Sequence, residues 1–318
     1  MRRLLDEIVT PEAWRGHAEL PANAENRASP PSRKAQLIRQ LRIGDVIAPT
    51  LSRRCNEFDR DAHSWQRSEK LRWTSKNQNR MNDLLTLAVT AHGGLDRWRR
   101  FTFVKASVSV SGVLWHVKGK PDALKQIRIE AHLRDEQMTT HLVDQNKRLI
   151  FTPDRVAVEN EAGQVLASRE DPRSAFRDQA FETPWDDLHV AYFNSYALWT
   201  YFSIPFLYCN DGFAVEELQP WQENGEIWRR LRVTFPPNIA SHTREQTSYF
   251  GPDGLLRRHA YTVDILGGAN GVNYAYDYRE FDGIAIPTTR RVFAYDENKH
   301  KVSAPVLVAI DISNVAFA

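Results

Sequence analysis

Leu188-His-Val-Ala-Tyr-Phe-Asn-Ser-Tyr-Ala-Leu-Trp-Thr-Tyr-Phe-Ser-Ile-Pro-Phe-Leu-Tyr-Cys-Asn210 is a run of 23 residues with no Asp, Glu, Lys or Arg, and eight of them are aromatic. Its length would admit a membrane span, for which about 20 apolar residues suffice. Its flanks argue otherwise: Asp186, Asp187 and Asp211 stand at the ends, basic anchors are absent, and Asn194, Ser195, Thr200, Ser203 and Pro205 interrupt the run. A helix apolar on every side is normally buried. The run therefore predicts a core helix, ended or kinked near Ser203 by Pro205, that plugs a curved sheet. The functional expectation is that its aromatic surface lines a cavity for an apolar ligand, with Tyr192, Tyr196, Trp199, Phe202 and Phe206 as lining residues.

On both sides of this run the pattern changes to a period of two. Between 101 and 114, Val104, Ala106, Val108 and Val110 alternate with Lys105, Ser107, Ser109 and Ser111, the mark of a strand with one buried face. Shorter strands are predicted at 125–133, 137–143, 148–152, 155–159 and 165–169. After the run, Gly225 links 215–221 to 227–235. Pro252-Asp-Gly254 links 243–250 to 255–266, and Asp282-Gly283 links 273–281 to 284–295; Gly and Asp tolerate the backbone angles of tight turns. A last strand covers 306–317. Ten or more antiparallel strands in series predict a mainly β protein with some helix. Its architecture would be a broad curved antiparallel sheet or incomplete β-barrel, with helices packed on the concave face. Ahead of the sheet, Asn82 or Asp83 can cap a helix bearing Leu84, Leu85, Leu87, Ala88 and Ala91, ended by His92-Gly-Gly94.

The 318 residues are 42% hydrophobic and 26% charged, a globular composition, but the net charge of +2 averages two unlike parts. Residues 1–80 carry 16 Lys/Arg and 10 Asp/Glu, with four aromatic residues and no tyrosine; residues 81–318 carry 26 and 30, with all ten tyrosines. A segment so poor in large apolar side chains cannot offset its ordering entropy, so 1–80 is expected to be a basic, largely disordered leader, and 81–318 a single domain. Its interspersed acids argue against nucleic-acid binding, which needs a concentrated positive stripe. Met81, one of three methionines, falls at this break and is the expected start of translation. Acids follow the basic residues of the first heptad, where a signal peptide needs an apolar core, and Cys55 follows Ser-Arg-Arg rather than a lipidation signal. Cys55 and Cys209 are too few for a disulfide framework and suit a reducing compartment, so a cytoplasmic protein is expected.

Chemistry-bearing patterns are weak. In Thr183-Pro-Trp-Asp-Asp-Leu-His189, Asp187 and His189 could serve as an acid/base pair of a hydrolase acting on a hydrophobic substrate. The competing reading makes the same residues a helix start, with Thr183 as cap and Pro184 at the first position. Ser241-His242 and Glu245 lack a nucleophile-elbow frame. The remaining histidines show no metal-ligand spacing. Gly112 to Gly119-Lys120 has the wrong spacing for a phosphate loop, and Gly267-Gly-Ala-Asn-Gly271 precedes a strand rather than a helix. No cofactor or metal is expected. Trp228-Arg-Arg-Leu-Arg232 and Arg257-Arg258 read as a solvated sheet surface.

Three segments carry a resemblance. Ala91-His-Gly-Gly94 before a long alternating strand, Tyr249-Phe-Gly-Pro-Asp-Gly-Leu-Leu-Arg-Arg258, and Tyr276-Asp-Tyr-Arg-Glu-Phe-Asp-Gly-Ile-Ala-Ile-Pro287 resemble bacterial proteins of the lipoprotein-carrier superfamily, which includes LolA, LolB and LppX-like proteins. The resemblance covers about 92–318. It implies an incomplete antiparallel barrel whose concave apolar face is covered by helices, and a cavity that carries lipids or acylated proteins. The expected partner is a hydrophobic small molecule or lipid, bound without catalysis; a hydrolase, or a sheet protein that binds another protein without a ligand, are the alternatives.

Overall fold

The computed structural model describes residues 82–318. The basic leader and the Met81 start lie outside the described residues. The described chain forms one antiparallel sheet of thirteen strands. Near its middle, sixth from one edge, is β1 (Phe103–Ser111). From there β2 (Ile127–His132), β3 (Met138–Leu142), β4 (Lys147–Phe151), β5 (Arg155–Asn160) and β6 (Val165–Glu170) meander to one edge. The chain then crosses to the opposite edge and returns through β7 (Ala214–Glu223), β8 (Glu226–Thr234), β9 (Glu245–Phe250), β10 (Leu256–Val263), β11 (Ala269–Phe281), β12 (Ile284–Phe293) and β13 (Val308–Phe317). Strand β13 pairs with β1, so the two meanders join at the centre, and Val108 faces Ile312 across the seam. Edges β6 and β7 do not pair, and the sheet stays open.

The crossing is made by the aromatic run. After α1 (Asp83–Ala91), α2 (Leu95–Trp98) and α3 (Val113–Val117), helix α4 spans Asp187–Ser203. Thirteen strands laid flat would be about 58 Å wide at about 4.8 Å per strand. A helix of this length reaches about 26 Å. The sheet is curved, which brings its edges within reach of the connection, and α4 packs against β3, β4, β5 and β6. Every residue from Leu188 to Ser203 is buried. Each large apolar side chain so covered contributes roughly 1.5–3 kcal/mol.

Helix α4 ends at Ser203, ahead of Pro205, as the sequence predicts. Its start differs. Asp186, not Thr183, is the cap: its carboxylate accepts from the His189 backbone N–H at 2.8 Å, and His189 Nδ1 lies 3.3 Å from the Asp186 N–H, closing a capping box. Three capping residue types stand in this segment, and the structure starts the helix at the acid whose partner sits three positions on. The long alternating strand also stops earlier than the pattern suggests, at Ser111, because α3 begins at Val113.

The Ala-His-Gly-Gly segment locks the first helices to a distant hairpin. The Ala285 N–H donates to the His92 carbonyl at 3.0 Å, and Arg97 donates to the Gly283 carbonyl at 2.8 Å. Gly93 and Gly283 both have positive φ, and a Cβ on Gly93 would collide with the Gly283 carbonyl oxygen. The two glycines are thus required for close backbone approach as well as for turning.

The outer face corrects the expectation of a solvated basic surface. Arg258 is fully buried there, among the rings of Trp221, Tyr249 and Tyr274 at 5.1, 4.7 and 5.8 Å. Its guanidinium donates to Glu223 at 2.8 Å and to the Lys299 carbonyl. Residues 294–307 form the connection before β13 and bring Lys299 over Tyr295, and Lys301 over Tyr274 and Phe293. A β-bulge between Leu256 and Arg258 breaks the alternation here: Leu256 joins the inner core while Arg258 packs among the outer rings. What alternation cannot show is that a later loop covers the outer side.

Candidate functional site

A small cavity separates α4 from the sheet. Its volume is about 70 Å³. One wall is a single stripe of α4: Phe193, Asn194, Ala197, Leu198 and Tyr201. The spacing of three, four and eight residues is that of one helix face. The opposite wall is the inner face of the central strands: Val110 of β1, Val292 of β12, and Val308 and Ile310 of β13. Tyr261 of β10 and Trp115 of α3 also line it. Phe181, Leu266 and Leu307 complete the rim and are only partly buried.

The residues expected to line this space sit on other faces of the helix or beyond it. Tyr192, Tyr196, Trp199, Phe202 and Phe206 are all buried, but none borders the cavity. Tyr192 packs on Phe151 of β4 at 5.9 Å. Trp199 donates from Nε1 to the His132 carbonyl at 2.7 Å, and Phe206 stacks on Trp98 at 4.3 Å. Because α4 is buried on every side, its apolar residues do not say which face meets open space.

A polar cluster forms the cavity's floor. His242 lies stacked on Tyr261, with ring centres 4.0 Å apart. Its Nδ1 meets the Tyr196 hydroxyl at 3.0 Å and its Nε2 meets the Tyr201 hydroxyl at 2.9 Å. Tyr201 and Tyr261 hydroxyls are 2.6 Å apart. Burial, with the nearby His259 and Arg173, holds His242 well below the usual histidine range, so it is neutral. Burial also pushes the Tyr196, Tyr201 and Tyr261 hydroxyls above the tyrosine range, so they too are neutral. A neutral imidazole has one donor and one acceptor, and the two tyrosines satisfy both. Ser241 Oγ donates to the Thr243 carbonyl at 3.0 Å and makes no hydrogen bond with this imidazole.

Asp187 and His189 are not brought together. Asp187 pairs with Lys120 at 2.7 Å and Lys147 at 3.1 Å in a surface groove. Burial tends to raise its carboxyl, but the two lysines outweigh it and hold it below the usual range. His189 is buried against Phe176 and Trp185, and its Nδ1 lies 2.7 Å from Asp186. Helical neighbours two positions apart point in different directions, and these two serve different sites.

No family model matches the chain, and no curated protein matches it. Among solved structures it is similar to a DUF1329 family protein from Desulfovibrio piger, 13% identical with a TM-score of 0.45, covering 74% of this chain and 92% of that one. It is also similar to a LolA superfamily protein from Nitrosomonas europaea (9%, TM-score 0.41, 73% and 93% covered). A third is a putative outer membrane lipoprotein-sorting protein domain from Vibrio parahaemolyticus (10%, TM-score 0.41, 71% and 93%). The likeness is one of fold alone. Among the described residues, no helix is long and apolar enough to cross a membrane.

Proposed function

We propose that residues 81–318 form a binding domain that takes a hydrophobic, lipid-like small molecule between α4 and the curved sheet. The observation that supports this reading is the largely apolar, partly open cavity itself, about 70 Å³ left within a core that is otherwise filled by large side chains. Protein interiors seldom leave voids larger than a water molecule. An apolar cavity of about 150 Å³ binds benzene, and ligand sites commonly reach about 300 Å³ or more. This cavity therefore accepts a short hydrocarbon group as it stands, and a longer chain requires the rim residues Phe181, Leu266 and Leu307 to move. Those three are partly buried, so their displacement sacrifices less packing than that of the fully buried walls. The lining residues in this reading are Phe193, Ala197, Leu198 and Tyr201 of α4.

The test is titration with a neutral apolar probe, 1-hexanol, followed by thermal unfolding and by backbone NMR shifts. Saturation at 100 times Kd should stabilise the fold by about 2.7 kcal/mol, with shifts concentrated at Ala197, Val292 and Ile310. Absence of any stabilisation, together with ligand-free protein by native mass spectrometry of the purified chain, would overturn the reading. Sparse cysteine usage supports placing the domain in the cytoplasm, and fractionation of cells expressing the native gene tests that placement.

A further inference from the structure

Among the described residues, Arg290 is a buried cation with no acidic side chain in ion-pair range. It stands on β12 opposite Ala275 of β11 and Ile310 of β13, two residues from Val292 on the same inner face. Val292 and Ile310 both line the cavity. Arg290 is only 2% exposed. It lies over the Tyr201 ring at 5.1 Å and donates from Nη2 to the Tyr201 carbonyl at 2.9 Å. Among the described residues, Nε and Nη1 have no hydrogen-bond partner. The groups that face it are the hydroxyls of Tyr201, Tyr208, Tyr261 and Tyr278, all neutral because burial raises them. His92 and His259, also near, are neutral as well.

Asn273 is its diagonal neighbour on the same face, opposite Val292 in β12 and His259 in β10. It is fully buried and lies beside the Tyr201 hydroxyl, but neither its Nδ2 nor its Oδ1 makes a well-formed hydrogen bond with a described residue. Arg290 Nε and Nη1 and the Asn273 amide thus stand under-satisfied on one patch of the inner face. An arginine cannot shed its proton to escape burial. A cation taken out of water without a partner costs several kcal/mol, and a buried donor or acceptor left unmade adds to that. Tyr201 connects the two: it lines the cavity, and the Arg290 guanidinium lies over its ring.

We propose that Arg290 and Asn273 form the head-group subsite of this cavity and take the carboxylate of a small amphipathic acid, whose hydrocarbon end lies between α4 and the sheet. The inference rests on the cavity reading above and adds a charge to the ligand. A carboxylate brings the one negative charge that balances one guanidinium. It accepts from the unused N–H groups of Arg290 and from Asn273 Nδ2. Rotation of the Tyr201 ring, which gives up its hydroxyl bonds to His242 and Tyr261, joins the subsite to the apolar space.

The experiment compares hexanoate, 1-hexanol and hexyl phosphate on the purified full-length chain by calorimetric titration. Hexanoate should bind about tenfold or more tightly than 1-hexanol, the preference expected from charge-assisted hydrogen bonds. In Arg290→Met the preference should vanish while 1-hexanol binding holds, and the unliganded variant should melt no lower than the parent, since an uncompensated charge has been removed. Should the variant fail to fold, the comparison on the parent chain decides. Equal binding of hexanoate and 1-hexanol would overturn the head-group subsite and leave the cavity reading standing. Tighter binding of hexyl phosphate would overturn the carboxylate assignment. Binding of none of the three would remove the cavity reading and the subsite with it.

Discussion

Ala197→Leu is the perturbation that most directly separates a binding cavity from a packing fault. Ala197 sits mid-helix on the stripe of α4 that faces the cavity, so a longer side chain there grows into open space. At about 24 cal/mol per Å³, eliminating the whole 70 Å³ would stabilise the fold by about 1.7 kcal/mol. Leucine ranks just below alanine as a helix former, so the backbone loses little. Imperfect shape works against the gain, because overpacking costs typically 1–3 kcal/mol. A net gain of up to about 0.7 kcal/mol is expected, read as a rise of about 1–3 °C in Tm for a domain of this size. The same variant should lose 1-hexanol binding, since the ligand and the new side chain compete for one space. Calorimetric unfolding and titration on the same preparation give both numbers. A destabilisation larger than about 1 kcal/mol would mean that the space at Ala197 is not open. A stabilised variant that still binds 1-hexanol would place the ligand elsewhere.

Three further predictions follow from particular contacts. Trp199→Ala removes a fully buried indole and its bond to the His132 carbonyl, and should cost about 3–5 kcal/mol in denaturant unfolding, with loss of less than 1 kcal/mol counting against its place in the core. His92 and His259 are held neutral by burial, at about 4 and about 3, and His242 well below the usual range. In the unfolded chain they titrate near 6.5, so the unfolded state binds protons first as pH falls. Stability should be fully present above pH 6.5 and decline from there towards pH 3, by up to about 1.4 kcal/mol per unit for each histidine; His259→Asn should flatten that slope, and an unchanged slope would refute the assignment. On the outer face, Arg258→Met leaves Glu223 without its cation and should cost about 3–5 kcal/mol, whereas Arg258→Met with Glu223→Leu should recover most of it; equal losses in single and double variants would show that the ion pair is not the source.

The hairpins were legible because their signals are local. Asn224-Gly225, Asp253-Gly254 and Asp282-Gly283 each turn the chain between neighbours in sequence, and the strands they join pair in the structure. The seam between β1 and β13 was not, because Val108 and Ile312 lie about two hundred residues apart and no single-sequence pattern encodes their register. The aromatic run announced a buried helix and its end at Pro205. It did not announce the cavity face, since a helix apolar all round has no polar side to orient it. Asn194 and Ala197 lie on the cavity face, but Ala191, Ser195, Thr200 and Ser203 are as small or polar and lie elsewhere on the helix. Arg290 and Asn273 sit in strands that read as ordinary alternating sheet, and what sets them apart is burial with polar atoms left under-satisfied.

Sequence alone determined the antiparallel series of strands, the buried crossing helix, the absence of a catalytic frame in the local motifs, and the division of charge at residue 81. These depend on periodicity, turn chemistry and composition, which act between residues close in the chain. The tertiary structure alone decided which stripe of α4 faces a void, that Asp187 and His189 serve different partners, and that two arginines on β10 and β12 are buried. Among the described residues, Arg258 meets Glu223 and Arg290 meets no acid. Such differences arise where curvature and a covering loop set the surroundings of each side chain, and those surroundings are assembled from distant segments.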